Sequence, residues 1–121
     1  MKVWLDDLRP LPPGYDVWAL TYEDAVALID TGKVTHMSFD NDLGHDREGR
    51  HIIDYMYELA YFKTIPPIRM QVHSSNGGAI LAMLQGINQL YLYWEVDFPV
   101  RKVDYESMLN QGVDSLGIRM K

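Results

Sequence analysis

Short apolar runs that stop abruptly at polar residues recur along this chain. Lys2 to Asp6 reads as a buried strand closed by Asp6-Asp7, and Val34 to Phe39 as another closed by Asp40-Asn41-Asp42. Ile68 to Val72 is a third of the kind, closed by His73-Ser74-Ser75-Asn76, and Asp16 to Leu20 is a shorter one. Runs of this length suit strands buried on both faces of a parallel sheet. Tyr93 to Phe98 is expected to supply a fifth strand.

Helical spacing fills the intervals. Thr21 is a good N-cap, Glu23 and Asp24 follow in the first turn where the helix dipole favours negative charge, and Gly32 stops the apolar stripe of Ala25, Val26, Leu28 and Ile29. A polar loop from Asp42 to Gly49 leads into a helix carrying Ile52, Ile53, Met56, Leu59 and Ala60, which Pro66-Pro67 cannot continue. Gly77-Gly78 opens a third helix with Ile80, Leu81, Met83, Leu84 and Ile87. The order β, β, α, β, α, β, α, β is that of a three-layer α/β sandwich. The first crossover is the exception: Leu8 to Tyr15 holds three prolines and a glycine, so a helix expected there has been lost. Beyond residue 98 the pattern is thin, with a helix from Tyr105 to Leu109 and an edge strand near Gly117 to Met120 as the elements expected.

The length of 121 residues fits one domain, 1–121, burying about two-thirds of the surface of its unfolded chain. Cysteine is absent, which excludes thiolate ligands, thiol nucleophiles and disulfides; any metal is held by oxygen or imidazole. No leader or spanning stretch is visible, so the expectation is a cytoplasmic protein with no membrane partner. The formal charge is −6, and it is uneven: residues 1–98 carry seven basic and fourteen acidic side chains, a net of −7, while residues 99–121 carry a net of +1. Duplex DNA normally needs a basic face, so a small nucleotide or a short RNA end is the easier partner.

Ligands of open α/β sheets bind outside the carboxyl ends of the strands, and here three polar strand ends would meet in one crevice. Carboxylates packed together repel unless a cation lies among them or a proton is shared. Asp6, Asp7 and Asp40 are therefore the candidate ligands of a divalent metal, Mg²⁺ or Mn²⁺, with Asp42 supporting them; exposed turn acids and Asx caps are the plainer reading of the same residues. His73 is a candidate general acid or base, its pKa raised by nearby carboxylates, against the commoner structural histidine bonded through one ring nitrogen. Arg9 can fork a phosphate, with Ser74, Asn76 and the following helix N-terminus assisting. His45 and His51 are weaker candidates, more suited to capping or solvent; His36 reads as a packed strand residue, and Tyr91, Tyr93 and Trp94 as core rather than a base-stacking platform.

These motifs resemble a family. Acids after the first strand, an Asp after the third and a hydroxyl residue after the fourth resemble the response-regulator receiver domain. The fuller pattern is similar to its divergent branch, the cyclic-phosphate processing receiver domain, with Leu-Asp-Asp-x-Arg-x-Pro, Ser-Leu-Asp-His-Asp-Leu-Gly and His-Ser-x-Asn. The chain has Leu5-Asp6-Asp7-Leu8-Arg9-Pro10, with Pro10 directly after Arg9; Ser38-Phe39-Asp40-Asn41-Asp42-Leu43-Gly44, with Asn41 where His is common; and His73-Ser74-Ser75-Asn76. The match covers about residues 1–90 and leaves 91–121 as a family-specific extension. The resemblance implies a receiver-like (flavodoxin-like), mostly parallel five-stranded sheet, a divalent metal, and handling of cyclic phosphates on nucleotides or RNA ends. On that reading Asp40, His73 and Asp42 are catalytic, Arg9, Ser74 and Asn76 bind phosphate, and Asp6, Asp7 and Asp40 bind metal. The competing expectations are a signalling module phosphorylated on Asp40, and a protein that binds a cyclic nucleotide without cleaving it. Receivers carry a Lys-Pro after the fifth strand, whereas this chain has Phe98-Pro99-Val100-Arg101-Lys102, which displaces Lys102 and weakens the signalling reading.

Overall fold

The computed structural model describes residues 1–44, 47–74 and 76–110, and for residues 107, 109 and 110 the backbone only. Its elements are β1 (Lys2–Leu5), β2 (Val17–Ala19), α1 (Tyr22–Asp30), β3 (His36–Phe39), α2 (Gly49–Tyr61), β4 (Arg69–Val72), α3 (Gly77–Trp94), β5 (Arg101–Lys102) and α4 (Tyr105–Asn110). The five strands form one parallel sheet in the order β2-β1-β3-β4-β5. This is the α/β architecture that the sequence pattern predicts and the receiver-like sheet that the resemblance implies. The expected edge strand near Gly117 to Met120 lies outside the described residues.

Strand alternation divides the sheet into two unlike faces. Val3, Leu5, Met37, Phe39, Met70 and Val72 join the main core with Ile29 of α1, Ile52 and Met56 of α2, and Met83 and Ile87 of α3. On the other face Trp4 packs with Tyr15 of the first crossover and Met108 of α4. A loop and one short helix thus form the third layer. The crossover is helix-free and pinned at intervals: Trp4 Nε1–H donates to the carbonyl of Arg9 at 2.9 Å, and Tyr105 Oη–H to that of Pro10 at 3.0 Å. Lys2 N–H donates to Asp16 Oδ2 at 2.8 Å as the chain re-enters the sheet.

The caps follow local chemistry. Thr21 Oγ1 accepts from Asp24 N–H at 3.1 Å, and α1 ends at Asp30 with Thr31 as its C-cap, directly before Gly32, whose φ is +71°. The fifth strand departs from the expectation. Tyr93 and Trp94 belong to α3, because Met83, Ile87, Leu90, Tyr91 and Trp94 continue one helical stripe; Glu95 then closes the helix with φ of 60°, and β5 follows at Arg101. A short aromatic run satisfies strand and helix patterns alike, and burial against α2 selects the helix. Leu81, expected on the apolar stripe, is exposed.

Candidate functional site

Register places the polar strand ends side by side. β1 and β3 pair with Leu5 opposite Phe39, and β3 and β4 with Phe39 opposite Val72, so Asp6, Asp40 and His73 each stand one residue past a paired end. The ladder continues one step beyond the strands, with Asp40 N–H donating to Leu5 O and His73 N–H to Phe39 O, both at 2.9 Å. Carboxylate oxygens of Asp6, Asp7 and Asp40 approach one another within 4.8 Å. With Leu8, Arg9, Asp42 and Gly44 they line a cavity of about 300 Å³.

Each carboxylate is held differently. Asp6 is fully buried: its Oδ1 accepts N–H bonds from Leu8 at 2.8 Å and Arg9 at 2.7 Å, and its Oδ2 accepts from His73 Nε2 at 3.0 Å. Burial pushes its pKa up, but the bonds from His73 and the two backbone N–H groups outweigh that and leave it lowered. Asp40, 8% exposed, goes the other way. Burial, then the charge of Asp6, raise it from 3.8 to about 6, against the opposing bond from Asn41 N–H, the Arg9 charge and the Ser74 hydroxyl. Two neighbouring acids pulled in opposite directions are the signature of like charges sharing one site.

The acidic loop after β3 is built tightly. Gly44 turns the chain at φ +70°, and a Cβ there would lie 3.1 Å from Asp7 Oδ2. A Cβ on Gly49 would lie 2.1 Å from the carbonyl oxygen of Asp40, so only glycine lets α2 begin against the site. Buried Asn41, standing where the family pattern often has His, donates through Nδ2 to Glu48 Oε2 at 2.7 Å and Asp42 Oδ1 at 3.3 Å. Asp42 is exposed, and the second amide on its Oδ1 is Asn76 Nδ2 at 3.4 Å.

The remaining expected residues fall into separate roles. Arg9 lines the cavity with its side chain one-third exposed and its Nη1 3.6 Å from Asp6 Oδ2, a loose contact that leaves the guanidinium able to turn toward an anion. Ser74 is buried, accepts from Asn76 N–H at 3.1 Å and donates to Asp40; Asn76 caps α3 through its Oδ1, which accepts from Ala79 N–H at 3.2 Å. Neither is among the cavity's lining residues; Ser74 contacts Asp40 and Asn76 contacts Asp42. His51 bonds Glu48 N–H at 2.8 Å and caps α2; half-buried His36 opens β3, its Nδ1 2.8 Å from Thr35 Oγ1. His45 and Ser75 lie outside the described residues.

His73 differs most from its expected role. Its side chain has no exposed surface, and both ring nitrogens are engaged, Nε2 with Asp6 and Nδ1 with Ser38 Oγ at 2.7 Å. Its ring stacks on Trp4, centroids 3.7 Å apart and planes 7° from parallel. Burial lowers its pKa despite the carboxylate of Asp6, reversing the expected upward shift. In this arrangement the ring presents no exposed nitrogen, and its contact at the cluster is with Asp6. Trp4, Ser38 and Gln71 behind it were not expected at the site. The available signal was Ser38 and Gln71 themselves, polar residues inside strands that should read as continuously apolar.

The donors at the cluster are hard carboxylate oxygens, and a cation among them would offset the burial cost and the Asp6 charge that together raise Asp40, so the three acids could hold an oxygen-seeking metal ion. Among the described residues no helix is long and apolar enough to cross a membrane. No curated protein and no solved structure is significantly similar to the chain. The family model of the cyclic-phosphate processing receiver domain, however, matches residues 1–89, which contain every polar strand end that converges on the cavity. With its motifs, parallel sheet and acidic cluster in agreement, this chain belongs to the cyclic-phosphate processing receiver domain family.

Proposed function

We propose that the domain hydrolyses or ring-opens a cyclic phosphate on a small nucleotide or an RNA end, with a divalent cation, Mg²⁺ or Mn²⁺, held by Asp6, Asp7 and Asp40. The observation that carries this reading is the approach of three carboxylates to within 4.8 Å on the floor of a cavity whose lining includes Arg9. A bound cation would supply Lewis-acid polarisation of a phosphoryl oxygen and offset the charge that grows there.

The chain's own groups do the rest. The Arg9 guanidinium grips non-bridging phosphate oxygens, and its loose pairing with Asp6 makes that turn inexpensive. Asp42, oriented by Asn41 and Asn76, takes a proton from the attacking water; the water oxygen bonds to phosphorus, one ring P–O bond breaks, the departing oxygen takes a proton from solvent, and Asp42 returns its own to solvent. His73 holds the Asp6 carboxylate ionised and in place rather than touching substrate. The net charge of −6 disfavours a long nucleic acid, consistent with a small ligand.

Incubation with 2′,3′-cyclic and 3′,5′-cyclic nucleotides in Mg²⁺ or Mn²⁺ tests the proposal. Turnover lost on chelation and in Asp40→Asn supports it; rates no higher than those of Asp40→Asn across the panel reject it. A mass increase after acetyl phosphate treatment, absent in Asp40→Asn, would favour signalling instead. Calorimetric binding with recovery of intact nucleotide would favour sequestration.

A further inference from the structure

One register row crosses all five strands: Trp18, Trp4, Ser38, Gln71 and Arg101 stand opposite one another in turn. The third and fourth members, Ser38 and Gln71, are fully buried and polar. Gln71 Nε2 donates to Ser38 Oγ at 3.0 Å, Ser38 Oγ lies 2.7 Å from His73 Nδ1, and His73 Nε2 lies 3.0 Å from Asp6 Oδ2. These contacts form an unbroken line from the middle of the sheet to the acidic cluster. From this geometry we infer that Ser38 and Gln71 are positioning residues, which hold His73 in the tautomer that donates its Nε2 proton to Asp6 and so preset Asp6 to receive a cation.

The direction of the protons follows from the end groups. The amide of Gln71 can only donate through Nε2, so Ser38 accepts there and has its own proton to give to Nδ1. Nδ1 is then bare, and the ring's one proton lies on Nε2, facing the carboxylate. The reverse order would turn the Nε2 lone pair toward Asp6 Oδ2, two acceptors at 3.0 Å, or require a charged ring with no exposed atom. Trp4 stacked on the imidazole prevents the ring from swinging out of line.

Gln71 also bears a cost that packing alone does not explain. Its Oε1 is buried without a hydrogen-bond partner among the described residues, while Nε2 serves Ser38 and approaches Met108 Sδ at 3.8 Å. An apolar residue would fill the same place beneath α4 without that penalty. The polar side chain is accounted for by what it does to Ser38. Outer partners of this kind orient ligands in metal sites and change metal affinity by about 10–100-fold when removed.

The inference rests on the metal reading of the Asp6, Asp7 and Asp40 cluster, and the experiment separates the two. Long-range ¹⁵N–¹H spectra of the metal-free protein, with the His73 ring assigned by its loss in His73→Gln, report the tautomer directly. The expected wild-type result is a protonated Nε2 and a bare Nδ1. Ser38→Ala and Gln71→Leu should lose this single-tautomer signature and weaken Mn²⁺ binding about 10-fold or more, while Ser38→Thr retains both. If Ser38→Ala fails to fold, Gln71→Leu and Ser38→Thr carry the comparison. A proton on Nδ1 in the wild type overturns the inference, as does an unchanged ring signature and Mn²⁺ affinity in both Ser38→Ala and Gln71→Leu. Wild-type protein that binds no Mn²⁺ yet shows the expected tautomer rejects the metal reading and the presetting of Asp6 for a cation, while upholding the hydrogen-bonded order.

Discussion

Asp40→Asn removes one charge from the cluster while keeping an oxygen that can accept from Asn41 N–H, so it separates the cost of the site from its use. Folding raises the Asp40 pKa from 3.8 to about 6. Between those values the folded chain binds more protons than the unfolded one, so the Asp40 contribution turns against folding as pH rises through that window and opposes it fully above it. At about 1.36 kcal/mol per unit the penalty is roughly 3 kcal/mol above pH 6, a large share of a small domain's stability. Asp6 acts in the opposite sense: its stabilisation is complete above 3.8 and is lost only as pH falls through its lower folded value, outside the window used here. Urea unfolding in EDTA should therefore find Asp40→Asn more stable than wild type at pH 7.5, by about 1–3 kcal/mol, and much closer to it at pH 4. Mg²⁺ at about 100 times its dissociation constant should return about 2.7 kcal/mol to the wild type and nothing to the variant. A variant no more stable than wild type at pH 7.5 without metal would refute the reasoning, because the ionised Asp40 would then carry no burial or repulsion cost for a cation to offset.

Other substitutions probe the frame around the cluster. Gly49→Ala forces a Cβ to within 2.1 Å of Asp40 O, so the start of α2 must shift; a loss of about 1–3 kcal/mol in denaturant unfolding, together with weakened Mn²⁺ binding, is expected. Arg9→Gln should leave the unfolding midpoint nearly unchanged, since the guanidinium is part exposed and loosely paired, but raise KM for a cyclic nucleotide about 10-fold or more in steady-state assay. Tyr91→Phe removes the hydroxyl that accepts Met70 N–H at 2.7 Å and donates to Met70 O at 3.1 Å, stranding buried backbone groups of β4. About 1–3 kcal/mol of stability should be lost with metal affinity intact, as measured by unfolding and calorimetry.

The strand-end acids show how much a linear pattern can carry. Lys2 to Leu5, His36 to Phe39 and Arg69 to Val72 are short runs, buried beyond their first residue, which leaves few alternatives to adjacent parallel strands. Once they are adjacent, Asp6, Asp40 and His73 must meet, because each stands one residue past the end. The sheet, the helix-free first crossover and the identity of the acidic cluster were legible for that reason. The fifth strand was not: Tyr93 and Trp94 fit either periodicity, and contact of α3 with α2 decided for helix.

Tertiary structure alone decided what the candidate site residues touch. In sequence, His73 beside acids reads as a group with a raised pKa; in the fold it is buried with its ring stacked on Trp4 and both nitrogens engaged, and burial outweighs the acid's charge, so the pKa is lowered. Ser74 and Asn76 likewise stand behind Asp40 and Asp42 instead of lining the cavity. The chemical types and their approximate gathering are local properties, set by pattern and strand order. Exposure, hydrogen-bond direction and the balance between burial and neighbouring charge depend on which face each side chain takes and what packs over it, and those are settled only when the layers close.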